Sequence, residues 1–104
     1  MKVSDIDLFE IHEAFAAQVL SCIRSMESDS FMDKYFGEKS IGTFPVDRLN
    51  VNGGAIAIGH PFGATGARLV TTLSNELIRS NKQFGVIAIC AAGAMAGAML
   101  IERI

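Results

Sequence analysis

Hydrophobic and polar positions change their period several times along this 104-residue chain. Residues 5–11 alternate polar and apolar side chains, which predicts a short strand. Residues 13–26 follow a helical period instead. Their apolar face carries Phe15, Val19, Cys22, Ile23 and Met26. The chain is therefore predicted to open with a strand that leads directly into a helix.

The pattern is less regular in the middle of the chain. Residues 27–48 mix Ser, Asp, Gly and Pro45 with aromatic side chains, and they predict short helical turns within a loop. Residues 50–63 predict an extended loop, and residues 65–79 a second helix. The apolar face of that helix carries Leu69, Val70, Leu73 and Leu77. Arg79 and Lys82 end it where the helix dipole favours cations.

Residues 84–101 contain no charged side chain and include a GxxxG match at 93–97, so two interpretations arise. Eighteen uncharged residues approach the length of a membrane-spanning helix. Many of them are glycine or alanine, however, which makes the run only weakly lipophilic. We favour two buried strands at 85–89 and 98–102, joined by a small-residue turn at 90–97, because buried strands often form continuous apolar runs.

Composition and charge narrow the class of protein. The length and the apolar half of the chain predict one globular domain, residues 1–104. Nine Lys and Arg are scattered among eleven acids without a basic run, which argues against a nucleic-acid partner. Two widely separated cysteines argue against a disulfide framework or a zinc site and favour a reducing compartment. The first ten residues lack the features of a signal or transit peptide, which predicts a cytoplasmic location.

His60 is the first candidate for chemistry. It lies in a stretch with five glycines between positions 53 and 66, and a helix is predicted just after it. Free backbone N–H groups at a helix start can help to stabilise an anion or a developing oxyanion. The alternative is a structural histidine in a loop that the glycines merely shape.

Cys90, His12 and Glu13 are the other candidates. Cys90 ends a predicted strand beside small residues that leave room for a substrate, although many free cysteines only fill space. His12 and Glu13 lie at the junction of the first strand and helix, where Glu13 could simply stabilise the first helical turn. Cys22 is predicted to be a core residue. The sequence contains no Ser/His/Asp motif, phosphate loop, metal-spaced cluster or GxGxxG.

Three segments carry a resemblance to a known family. They are FEIHEAFA at 9–16, NVNGGAIAIGHPFGATGAR at 50–68, and GVIAICAAG at 85–93 followed by AMLIE at 98–102. In order and spacing they resemble the C-terminal end of a thiolase, an acyl-CoA acetyltransferase. The resemblance implies an α/β fold: a thiolase-like C-terminal half with helices packed on a mixed sheet, lacking its opening strand and helix. Such a chain should leave an unpaired strand edge and an uncovered apolar face.

The resemblance also implies a reaction and roles in it. Thiolases catalyse reversible Claisen condensation and thiolysis of CoA thioesters, with CoA as substrate and no permanently bound cofactor or metal. By motif position, His60 would activate the nucleophile and help to hold the thioester oxygen, and Cys90 would be the acid and base. Further substrate or oxyanion contacts are implied for Ala92, Gly93, Phe15, Asn52 and Gly59. The nucleophilic cysteine belongs to the other half in this family, so the isolated chain is predicted to be inactive.

Two departures from the usual motif refine the expectation. His12 stands where many thiolases have asparagine, which resembles the branch of the trifunctional-complex beta subunit and favours beta-oxidation of medium or long acyl chains. His12 would then replace the asparagine that positions a catalytic water. Ala94 and Ala96 replace glycines and are expected to crowd the turn after Cys90. Their presence leaves open a rival function, a non-catalytic binding or interaction module derived from a thiolase.

Partners and location follow from the same resemblance. The expected partners are acyl-CoA or 3-ketoacyl-CoA, CoA, the missing N-terminal half and a further copy of the chain in a homo-oligomer. No nucleic acid and no transmembrane segment are expected. A eukaryotic source would place the chain in mitochondria or peroxisomes.

Overall fold

The computed structural model describes residues 1–104 as four α-helices and three strands. The strands are β1 (Leu8–Ile11), β2 (Phe84–Ala91) and β3 (Met95–Glu102). The helices are α1 (Ala16–Glu27), α2 (Asp29–Phe36), α3 (Ala55–Ile58) and α4 (Thr65–Arg79). Short 3₁₀ turns occupy Val3–Asp5 and Val46–Arg48.

The three strands form one mixed sheet in the order β1-β2-β3. β1 runs parallel to β2, with Phe9 opposite Val86, and all four helices lie in the connection between these two strands. β2 and β3 form an antiparallel hairpin, with Ala88 opposite Ala98. The predicted fold class, a mixed sheet with helices packed on it, is confirmed.

Two hydrophobic clusters cover the two faces of the sheet. Successive strand residues point to opposite faces, so Leu8 and Phe9 of β1 belong to different clusters. Phe9 packs with Val19 and Ile23 of α1, whereas Leu8 packs with the apolar face of α4. The sheet therefore separates α1 from α4, and β1 lies between them.

The first helix begins later than its pattern predicts. Residues 13–15 do not join α1, because the His12 backbone N–H still bonds to Ala88 O at 2.8 Å, in continuation of the parallel pairing, and Phe15 is extended. The prediction that Cys22 is a core residue is wrong. Val19 and Ile23 take the buried stripe of α1, and Cys22 is exposed.

The region 50–63 also differs from a plain loop, because it contains the four-residue helix α3. Its backbone turns at Gly59, whose φ of 91° no ordinary side chain adopts easily and which precedes His60. The predicted helix 65–79 is confirmed with the same bounds, and Leu69, Leu73 and Leu77 are buried on its apolar face.

Residues 84–101 form the predicted pair of strands, but the turn between them is only three residues long. Cys90 lies within β2, and pairing resumes at Met95. The prediction that both strands are buried is wrong for β3, since every residue of this edge strand except Ile101 is exposed. The chain contains no helix that is both long and apolar enough to cross a membrane.

Candidate active site

The candidate site is a cavity of about 680 Å³ at the end of the sheet where β1 and β2 both finish. β1 and β2 are parallel, so their carboxyl ends meet at one edge. His12 follows β1 immediately, and Cys90 is the next-to-last residue of β2. His60 reaches the same cavity from the loop between α3 and α4.

His12 lies at the centre of this arrangement. Its ring centroid is 4.3 Å from that of His60, and its Nδ1 is 4.0 Å from the Sγ of Cys90. The side chain is 6% exposed, and its Nε2 has no hydrogen-bond partner in the protein. A buried nitrogen of this kind retains the capacity to bond a water or a substrate oxygen.

The electrostatic surroundings of His12 favour its neutral form. Burial lowers the pKa of His12, the neighbouring His60 and Arg68 lower it further, and Glu13 partly opposes them. A neutral imidazole beside a thiol can accept the thiol proton, so the pair can exchange a proton. Gln18 also approaches this thiol, with its Oε1 3.8 Å from the Sγ of Cys90.

His60 is held by the first residue of α4. Its Nδ1 lies 2.7 Å from the hydroxyl of Thr65, and that hydroxyl lies 3.2 Å from the carbonyl oxygen of Pro61. A carbonyl can only accept, so the single hydroxyl proton of Thr65 is donated to Pro61. His60 Nδ1 is then assigned as the donor to Thr65, which leaves Nε2 as the basic nitrogen.

Glu10 lies two residues before His12 on the same face of β1 and is 2% exposed. Burial raises the pKa of Glu10 to about 7, and the nearby Glu13 and Glu76 also raise it, whereas Arg68 lowers it. Glu10 does not line the cavity, so its raised pKa is a consequence of its burial on the sheet.

The carboxylate of Glu13 joins the loop 51–59 to the end of β1. It accepts hydrogen bonds from Asn50 Nδ2 at 2.7 Å and from the backbone N–H of Ile56 at 3.0 Å. The prediction that the first helix begins at Glu13 is wrong, because Glu13 lies outside α1 and its carboxylate bonds to another segment.

Comparison with known proteins assigns the family. The family model described as "Thiolase, C-terminal domain" matches residues 1–103. The chain belongs to the thiolase family. The resemblance that its motifs indicate is thus confirmed.

Individual thiolase relatives agree with this assignment. The chain is 45% identical over 103 residues to the human mitochondrial trifunctional enzyme subunit beta. It is 47% identical to a 3-ketoacyl-CoA thiolase of Colwellia psychrerythraea and 48% identical to a probable 3-ketoacyl-CoA thiolase of Caenorhabditis elegans, again over 103 residues. These alignments cover 98% of this chain but only 22%, 24% and 23% of the respective relatives. The chain therefore spans about a quarter of the length of the thiolases it matches.

The structure brings most of the predicted thiolase site residues together. The cavity is lined by His12, Phe15, His60, Cys90 and Ala92. Three others lie outside this lining. Gly93 is in the turn after β2, Gly59 accepts a hydrogen bond from Arg68, and Asn52 donates one to Glu76 at 2.9 Å.

Sequence reasoning missed several residues of this candidate site. Gln18 is exposed on α1 and Thr65 is the buried first residue of α4, and the pattern of neither helix gives a signal for a contact with Cys90 or His60. The Phe62 ring lies 4.8 Å from that of His60 with an interplanar angle of 50°, and Phe62 is 89% exposed; its position in the His-Pro-Phe segment was the available signal. No group of three or more His, Cys, Asp or Glu side chains is placed to hold a metal ion.

Proposed function

We propose that the chain is the C-terminal portion of a 3-ketoacyl-CoA thiolase, or acetyl-CoA acyltransferase, and that it supplies the activating histidine and the acid/base cysteine. The observation that carries this proposal is the placement of His12 between His60 and Cys90 in one cavity. All three groups can exchange protons, and they line one cavity of about 680 Å³.

The proposed thiolysis has two steps. A nucleophilic thiolate from the N-terminal half attacks the 3-keto carbon, and the bond between C2 and C3 breaks. The C2 carbanion, an enolate of acetyl-CoA, takes the proton of the Cys90 thiol, and the acyl group stays on the nucleophile. The thiol of free CoA then gives its proton to the Cys90 thiolate and attacks the acyl carbon, the bond from that carbon to the nucleophile breaks to release its thiolate, and acyl-CoA leaves.

The remaining residues have supporting roles in this proposal. His60, with its basic Nε2, accepts the proton of the incoming nucleophile and holds a thioester oxygen when protonated. His12 positions a water with its unpaired Nε2. Ala92 and Gly93 supply backbone N–H groups for a second oxyanion. Asn52 and Gly59 supply further substrate or oxyanion contacts, and Phe15 lies against the acyl or pantetheine arm.

The same proposal covers partners and location. Phe15 and Phe62 are 74% and 89% exposed beside the cavity, which supports a cover from an N-terminal half or a second copy. The acyl substrates are those of fatty-acid beta-oxidation, with CoA as co-substrate. In a eukaryotic cell the proposed location is mitochondrial, because the bovine and human relatives are named as mitochondrial proteins.

The test combines the chain with a separately produced N-terminal thiolase half and measures thiolysis of a 3-ketoacyl-CoA. Activity is expected only in the mixture. His60→Ala and Cys90→Ala should each reduce the rate of thiolysis by a factor of about 10² to 10⁴. Cys22→Ala is the matched control, because this exposed cysteine does not line the cavity, and its activity should be unchanged.

The rival function is a thiolase-derived binding module without catalysis. Ala94 favours it, since this alanine has a φ of 57° in the turn that would present Ala92 and Gly93. Assembly of the two halves without thiolysis would support the rival and refute the enzyme. Activity that survives both His60→Ala and Cys90→Ala would refute the assigned roles.

A further inference from the structure

One glutamate side chain connects the two backbone segments that carry the site histidines. Glu13 directly follows His12 in the chain. Its carboxylate accepts the backbone N–H of Ile56, and Ile56 lies in α3, four residues before His60. The position of the His60 segment relative to His12 therefore depends on a contact that Glu13 makes.

The other oxygen of the Glu13 carboxylate accepts a hydrogen bond from Asn50, which is fixed against β1. The Oδ1 of Asn50 accepts from the Ile11 N–H at 2.8 Å, and its Nδ2 donates to the Ile11 carbonyl at 2.9 Å. Its own backbone N–H donates to Phe9 O at 2.8 Å. Asn50 is buried, and its φ of 47° is in the left-handed region that asparagine tolerates. The carboxylate thus has a rigid support.

Gly54 shows how closely the carboxylate fits. A Cβ at Gly54 would overlap the carboxyl group of Glu13. The backbone of Gly54 has a φ of −102°, which alanine adopts without strain. The glycine is therefore required here by the space that the Glu13 side chain fills, and an alanine should displace that side chain.

We propose that Glu13 is a positioning residue, which sets the relative placement of the His12 and His60 rings by bridging Asn50 and Ile56. The importance of this placement for catalysis rests on the proposed thiolase function. A displacement of about 1 Å between reacting groups can lower a rate on the order of a hundredfold.

The first experiment is NMR of the 104-residue chain and its Glu13→Gln variant. Glutamine keeps the size of the side chain, but its single oxygen can serve either Asn50 or Ile56, and its NH₂ then faces the other donor. We expect the nuclear Overhauser effect between the two histidine rings to be present in the wild type and lost in the variant. A folded variant that retains it would overturn the proposal.

Glu27→Gln is the matched control. The Oε1 of Glu27 accepts the backbone N–H of Phe44 at 2.9 Å, so it fastens a loop by the same chemistry, outside the cavity lining. This variant should lose comparable stability and keep the contact between the histidine rings. Loss of the ring contact in Glu27→Gln would mean that any weakened loop disturbs the site, and it would overturn the specific role of Glu13.

Gly54→Ala provides a second route that leaves Glu13 itself unchanged, and it decides the question if Glu13→Gln does not fold. It should also abolish the ring contact, because it displaces the carboxylate. In a Glu13→Ala background, Gly54→Ala should cause no further loss of stability, since the displaced group is absent. Equal losses in both backgrounds would overturn the bridging mechanism.

Activity provides the last readout. In the two-half thiolysis assay, Glu13→Gln should lower kcat by about tenfold to a hundredfold with little change in KM, whereas Glu27→Gln should not. If the wild-type mixture has no activity, the proposed function fails, and the ring contact still decides the positioning role. If activity is present and Glu13→Gln leaves kcat unchanged, the positioning role fails alone.

Discussion

Replacing Glu10 with glutamine should remove a pH-dependent loss of stability. Glu10 is almost completely buried on β1, and no hydrogen bond to its carboxyl group offsets the cost of ionisation. Burial is the largest cause that raises the pKa of Glu10, followed among the raising causes by Glu13 and Glu76, while Arg68 acts in the opposite direction. Glutamine has nearly the same shape and never ionises.

The sign of the effect follows from proton binding. Below pH 4.5 Glu10 is protonated in both the folded and the unfolded chain, and ionisation costs nothing. Between pH 4.5 and about 7 the unfolded chain releases the proton first, so the free energy of unfolding falls as the pH rises. A pKa raised from 4.5 to about 7 corresponds to about 3 kcal/mol lost above pH 7.

Denaturant unfolding at pH 4 and pH 8 measures this difference. Wild type and Glu10→Gln should have similar stability at pH 4, and the variant should be more stable by about 3 kcal/mol at pH 8. The lowered pKa of His12 has the opposite pH dependence, with stability lost as the pH falls below 6.5, but His12 is present in both chains and largely cancels in the comparison.

Glu38→Gln is the control for replacing a glutamate with glutamine at an exposed position. Glu38 is exposed, so its replacement should leave the pH dependence of the wild type unchanged. A stability difference between wild type and Glu10→Gln that is the same at pH 4 and pH 8 would refute the reasoning, as would a less stable variant at pH 8.

Two further substitutions test the β2–β3 hairpin, one in the backbone of its turn and one in the contact of β2 with α4. Ala94→Gly should raise the free energy of unfolding by about 0.5–1 kcal/mol, because left-handed backbone costs alanine more than glycine loses in entropy; thermal unfolding measures it, and an unchanged midpoint would contradict it. Gly85→Ala should cost about 1–3 kcal/mol by overpacking, since the new Cβ would lie 2.7 Å from Leu73 Cδ2. In a Leu73→Ala background the same methyl group should cost much less, and an equal cost in both backgrounds would count against this contact.

The spacing of apolar residues correctly predicts an element when the sequence of that element alone decides which of its side chains are buried. α4 has the predicted bounds, because its apolar positions recur on one face and that face packs on the sheet. The start of α1 was predicted too early, because residues 13–15 have a helix-compatible pattern but His12 and Glu13 bond to other segments. The local pattern of polar and apolar residues carries no information about hydrogen bonds to distant segments.

The residues of the candidate site likewise fall into two groups, those that the sequence identifies and those that only the structure reveals. The motifs around His60 and Cys90 identified both residues as candidates and indicated the family. No local period predicts that they lie beside His12, since Cys90 lies 78 positions from His12. The support from Thr65 and Gln18 was missed for the same reason.

The sequence by itself determined the α/β class, the family and the residue types that can transfer protons, because periodicity and motif spacing are local properties of the chain. The tertiary structure alone decided that Glu10 is buried, that Cys22 is exposed and that Glu13 bridges Asn50 and Ile56. Burial and hydrogen bonding depend on which distant segments occupy the neighbouring space, and in this chain that is settled only when β1, β2 and the loop before His60 come together.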